Sequence, residues 1–185
     1  MRETRAREKP PAAQISSRPA APPWRIGPSR VERSSESTTL AVDVLTELEI
    51  ARPLAEVAAF AANPDNAPAW YENIESVEWK SAPPLSVGSR VAFVAHFLGR
   101  RLAYTYEIVE LQPGVRLVMR TSEGPFPMET TYTWQPLGET GTRMTLRNRG
   151  EPSGFSKLLS PIMEGAMRRA NRKDLARLKQ LVEAG

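Results

Sequence analysis

The stretch Phe155-Ser156-Lys157-Leu158-Leu159-Ser160-Pro161-Ile162-Met163-Glu164-Gly165-Ala166-Met167-Arg168-Arg169-Ala170 decides the fold. Within it Phe155, Leu158, Leu159, Ile162, Met163, Ala166, Met167 and Ala170 recur at the spacing of one helical face. Continued toward the C-terminus, the pattern predicts a helix of roughly 42 Å at ~1.5 Å per residue. A helix of that length needs a large apolar surface to lie against, and a long run of strand-like segments precedes it. Strands first and one long helix last indicate an α+β fold in which a curved antiparallel sheet grips a terminal helix. Such a grip leaves a pocket.

Immediately before the helix, Met144 and Leu146 alternate with Arg143, Thr145, Arg147 and Arg149 in a strand that starts after the Gly138 to Gly141 turn. Ahead of it, Met128, Thr130, Tyr132 and Trp134 alternate with Glu129, Thr131, Thr133 and Gln135. Leu117 and Met119 point inward on a fifth strand, with Arg116 and Arg120 outward, between Gln112-Pro113-Gly114 and Gly124-Pro125. Each run has the two-residue period of a strand with one wet face.

Strands three and four form a hairpin around Leu98-Gly99-Arg100. An even loop pairs odd positions of one strand with even positions of the next, so Phe93, Ala95 and Phe97 share the buried face with Leu102, Tyr104, Tyr106 and Ile108. The single histidine, His96, then lies on the outer face with Ala103 and Thr105. A second strand is expected from Ile74 to Lys80, and a first one places Val42, Val44, Thr46, Leu48 and Ile50 inward. Between these two, Arg52-Pro53 opens a short helix through Leu54, Val57, Ala58 and Phe60, and Asn63-Pro64-Asp65 ends it and starts another helical turn that delivers Trp70 and Tyr71.

Strand, two short helices, six strands in hairpins and a long helix: this order resembles the SRPBCC superfamily, which includes START domains, birch-pollen-allergen-like proteins and the polyketide cyclase/dehydrase and lipid transport family. The resemblance covers about residues 40 to 183. It is carried by Val42-Asp43-Val44-Leu45-Thr46-Glu47-Leu48-Glu49-Ile50-Ala51-Arg52-Pro53 with Val57 and Phe60 following, and by Asn63-Pro64-Asp65 leading to Trp70. Val87-Gly88-Ser89, Val109-Glu110-Leu111-Gln112-Pro113 and Gly141-Thr142-Arg143-Met144-Thr145 extend it. The resemblance implies a helix-grip fold with seven strands and a deep cavity that different members use to carry lipids, sterols, polyketides or quinones, or to cyclise polyketide chains. No motif carries over a catalytic residue from the cyclases.

The inward residues supply a wall for such a cavity. Phe93, Tyr104, Tyr106, Met119, Met128, Tyr132, Trp134 and Met144 come from the sheet, Met163 and Met167 from the helix, and Trp70 and Tyr71 stand near one end. Methionine suits an adaptable apolar wall, and each tyrosine hydroxyl needs a hydrogen-bond partner when buried. A tyrosine could also serve as a general acid toward an enolate or carbonyl.

Charge and composition narrow the partners. Of 25 Lys and Arg and 21 Asp and Glu, eight basic and four acidic residues fall in residues 1 to 38, so seventeen of each sign remain and the main domain carries no bias toward nucleic acid. Residues 1 to 38, rich in Arg, Pro, Ala and Ser, are expected to be a disordered leader, and 39 to 185 the helix-grip domain. Without cysteine, with one histidine and with no clustered acids at ligand spacing, no metal site is expected, and the absence of a phosphate-cradling glycine loop points to no cofactor. Asp65, Glu72, Glu75 and Glu78 are expected on an exposed face. The basic cluster Arg168, Arg169, Arg172, Lys173, Arg177 and Lys179 suits a solvated face of the last helix, or a transient membrane-surface contact. Lacking an apolar signal core or membrane span, the chain is expected to be cytoplasmic.

Together these features predict a binding or transport module for a small hydrophobic molecule such as a lipid, polyketide or quinone. The alternatives are an enzyme of the polyketide cyclase, aromatase or dehydratase type using the same cavity, and an interaction protein acting through the basic leader or basic helix.

Overall fold

The computed structural model describes residues 42–151 and 160–185, with side chains on the last helix described from Ile162 onward. The expected leader, and Phe155, Leu158 and Leu159 of the helical stripe, lie outside the described residues. The elements are β1 (Val42–Ile50), α1 (Leu54–Ala62), a single 3-10 turn (Pro64–Asn66), α2 (Ala67–Trp70), β2 (Ile74–Trp79), β3 (Arg90–Phe97), β4 (Arg100–Gln112), β5 (Arg116–Glu123), β6 (Met128–Leu137), β7 (Gly141–Gly150) and α3 (Ser160–Ala184). All strands pair antiparallel in one curled sheet of order β1-β7-β6-β5-β4-β3-β2. This is the expected α+β helix-grip architecture.

Register follows the two-residue patterning. Phe93 faces Tyr104, Ala95 faces Leu102 and Val91 faces Tyr106 across β3 and β4, which puts His96 on the exposed side, 3.7 Å from Glu75. The β3–β4 connection is a two-residue turn, Leu98-Gly99, with both residues at positive φ (49° and 76°). That geometry follows the right-handed twist of the strands it joins.

The outer face carries ion pairs, among them Asp43 with Arg147, Glu49 with Arg143, and Glu129 held between Arg120 and Arg149. Val118, Thr105 and Thr131 point outward yet are buried, and long charged side chains stand opposite two of them, Glu123 across from Thr105 and Arg147 across from Thr131. Asp65, Glu72, Glu75 and Glu78 are exposed.

The 25 residues of α3 span about 38 Å. Its buried stripe is Met163, Asn171, Asp174, Leu175 and Leu178, whereas Ile162 is 64 % exposed. The face toward the sheet is therefore rotated from the one expected, and Ile162 lies off it. Met163 packs with Val42 and Val44 at the start of β1. At the other end, the Ala51 N–H donates to Glu183 Oε1 at 2.7 Å, Arg52 donates to the Glu183 carbonyl at 3.2 Å, and Lys179 donates to the Glu49 carbonyl at 2.7 Å. The helix thus runs alongside β1 from Met163 to Glu183.

Leu175 and Leu178 join Ile50, Val57, Trp134, Met144 and Leu146 in the main core. Fully burying each such leucine contributes about 1.5–3 kcal/mol. Among the described residues, no helix is long and apolar enough to cross a membrane, and no group of three or more acidic or histidine side chains is placed to hold a metal ion.

Candidate functional site

Asn63 closes α1 in an extended conformation, and its Oδ1 accepts the Asp65 N–H at 3.1 Å. Pro64 opens the following turn, Asn66 Nδ2 donates to the Phe60 carbonyl, and Asp65 Oδ1 accepts the indole N–H of Trp79 at 2.8 Å. These contacts fix the chain reversal that drives Trp70 into the interior, where it is fully buried. Tyr71, its ring tilted by 30° against that of Trp70 at 3.9 Å between centroids, is carried to the same place.

Between α3, the α2 region and the concave face of the sheet lies a cavity of about 130 Å³. The structure brings ten of the twelve expected wall residues to it: Trp70 and Tyr71 after α1, Phe93, Tyr104, Tyr106, Met119, Met128 and Tyr132 from the sheet, and Met163 and Met167 from α3. Aromatic contacts run through the wall, with Phe93 to Tyr104 at 5.7 Å, Tyr104 to Tyr106 at 5.1 Å and Trp70 to Tyr132 at 5.9 Å. Phe97 and Leu102 extend it.

Trp134 and Met144 do not line this cavity. Both point inward, but α1 and the C-terminal half of α3 occupy their end of the sheet. Met144 is fully enclosed in the core, and Trp134 lines a separate groove bordered by α1, Pro83, Pro84 and Gly114. Inward parity does not distinguish the filled end of the sheet from the hollow one.

The cavity also has polar groups. The hydroxyls of Tyr71 and Tyr132 are 2.6 Å apart. Tyr106 Oη lies 2.9 Å from Thr130 Oγ1, which donates to Asn148 Oδ1 at 2.7 Å, and Asn148 Nδ2 donates to Asn171 Oδ1 at 3.0 Å. Asp174, one helical turn beyond Asn171, is 2 % exposed and accepts the Glu72 N–H at 2.9 Å. Thr130, Asn148, Asn171 and Asp174 all line the cavity.

Burial governs the electrostatics of these groups. It pushes the Tyr71, Tyr104 and Tyr132 phenols well above their ordinary range and Tyr106 up to about 12, so all four remain neutral near pH 7 and act as hydrogen-bonding groups. Burial also raises Asp174 to about 6, and the nearby Glu72 charge adds to this. The Glu72 N–H, Lys173 and Arg177 oppose it. A carboxyl poised there exchanges a proton near neutrality.

Asn148, Asn171 and Asp174 are absent from the residues expected at the site. A signal for two of them was available: Asn171 and Asp174 fall on the stripe that Met163 and Met167 begin at three- and four-residue steps, so polar side chains there are forced inward.

A family model described as polyketide cyclase / dehydrase and lipid transport matches residues 41–183. A search of curated protein sequences finds no match. Among solved structures, TTHA0849 from Thermus thermophilus is 25 % identical with a TM-score of 0.67, covering 77 % of this chain and 97 % of its own. The Zhui aromatase/cyclase from a Streptomyces species is 16 % identical with a TM-score of 0.64, covering 76 % and 93 %. A START superfamily protein from Mycobacterium smegmatis is 15 % identical with a TM-score of 0.65, covering 75 % and 98 %. The last two likenesses concern the fold alone.

Proposed function

Since the chain belongs to the polyketide cyclase / dehydrase and lipid transport family of the SRPBCC superfamily, we propose that it binds a small, largely apolar molecule in the cavity between sheet and α3. The observation that supports this is an aromatic- and methionine-lined hollow with polar groups on part of its wall. The polar groups on the wall then supply orientation and selectivity. Native mass spectrometry of protein purified from its own host, followed by denaturing extraction, tests the reading. A stoichiometric apolar molecule is expected. Protein that is empty and also fails to take up a fluorescent apolar probe refutes it.

Asp174 favours a second reading, an enzyme of the cyclase or dehydratase type. Ionised, its carboxylate would take a proton from carbon next to a carbonyl, while a neutral tyrosine hydroxyl donates to the oxygen that gains charge. Under this reading Asp174→Asn, and Tyr132→Phe or Tyr106→Phe, abolish turnover and leave affinity largely intact. Under simple binding the same changes shift affinity only modestly, as equilibrium titration against a turnover assay would separate.

A further inference from the structure

Two cavity-lining residues, Trp70 and Asn171, carry a buried polar atom without a hydrogen-bond partner: Trp70 Nε1 and Asn171 Nδ2. Both atoms are donors. Asn171 is 3 % exposed, and a donor buried to that extent is costly to leave unpaired.

In the network behind Asn171 the amide nitrogen is the free atom. Thr130 is the hydrogen-bond partner of the Tyr106 hydroxyl, so the Tyr106 proton goes to Thr130 Oγ1 and the Thr130 proton goes on to Asn148 Oδ1. Asn148 therefore presents its Nδ2 to Asn171 Oδ1, which turns the Asn171 N–H groups away from the network. The Tyr71–Tyr132 pair adds to the donor surplus, because two hydroxyls sharing one hydrogen bond use one of their two protons.

We propose that Asn171 is the ligand-orienting donor of the cavity and that it receives the oxygen of a neutral carbonyl group on a ligand of single-ring size, a proposal that rests on the cavity being a binding site. The size follows from volume: a dry apolar cavity of about 150 Å³ accommodates benzene, and this one is about 130 Å³. Neutrality follows from Asp174, whose carboxyl lies one turn along the same helix face, while Lys173 pairs with Glu72 on the exposed side at 3.0 Å. An anionic ligand oxygen would meet that carboxyl, while Arg149, the cation among the lining residues, is held by Glu129.

Acetophenone and ethylbenzene differ by this oxygen and little in shape. Their dissociation constants, from chemical-shift titration of the full-length protein and of Asn171→Leu, test the proposal. Removing the donor is expected to weaken acetophenone about tenfold relative to ethylbenzene, the effect of one net hydrogen bond. Benzoate is expected to bind more weakly than acetophenone. An unchanged ratio of the two constants, or tighter binding of benzoate, overturns the proposal while the cavity reading stands. If none of the three probes binds, the proposal fails, and the cavity reading is decided by uptake of the fluorescent apolar probe. The carbonyl carbon resonance of acetophenone bound to the unaltered protein gives a second readout that needs no variant: it should sit at a hydrogen-bonded position, and a hydrocarbon-like shift counts against Asn171.

Discussion

Asp174 ties the chemistry of the cavity to the stability of the protein. Its carboxyl ionises at about 6 when folded and near the ordinary 3.8 when unfolded. The folded state therefore holds the extra proton between these values. Stability from this group is fully present below about pH 4 and is lost as pH rises through about 6, the reverse of a salt-bridged carboxylate. The loss amounts to about 3 kcal/mol. Asp174→Asn keeps an oxygen for the Glu72 N–H but cannot ionise. Its stability relative to the unaltered protein should thus rise by about that amount between pH 4 and pH 8. Urea unfolding of both proteins across this range checks it, and a difference independent of pH would show that the carboxyl is solvated. Such a group is hard to find from sequence. Asp174 sits among Arg172, Lys173 and Arg177 in a run that looks like a solvated charged face, and only the phase of the helix separates it from them.

At the scale of elements, alternation was legible wherever one face of a strand met water. Val42 to Ile50 and the β3–β4 hairpin could be assigned inward and outward residue by residue, because a one-residue slip would expose an entire apolar row. The phase of α3 was harder to read, since its apolar stripe gives way to Asn171 and Asp174 partway along. The rotated face makes a direct comparison possible. Leu178→Ala, at a fully buried position, should cost about 2–5 kcal/mol, whereas Ile162→Ala should stay within about 0.5 kcal/mol. Denaturant midpoints at constant slope would show it. Leu98 offers the opposite sign: a leucine at φ 49° in a two-residue turn is in a region that asparagine tolerates better. Half-exposed, it leaves little packing to lose, so Leu98→Asn should stabilise the hairpin by about 0.5–1 kcal/mol, seen as a raised Tm.

Across the whole molecule, the cavity exists because the two ends of the sheet are treated differently. Trp134 and Met144 lie where helices fill the concavity, and Tyr104, Met128 and Met163 lie where a gap is left. That distinction depends on how far α1 and α3 reach over the sheet, a property of three-dimensional packing with no period of its own in the sequence. Met163→Trp should fill the gap and block uptake of an apolar probe while circular dichroism remains native; undiminished uptake by folded protein would place the binding site elsewhere. The pairing of β1 with β7 has a further consequence, for synthesis of the chain. Val42 finds its partner in Gly150, about a hundred residues later. At ~5–20 residues per second the ribosome needs roughly 5–20 s to deliver that partner. Throughout this interval the nascent β1 waits with its apolar row uncovered, while β3 to β6 zip up as local hairpins. The strand that starts the domain is thus the last to find its place, and the newborn protein is most exposed to misassembly just before the sheet closes.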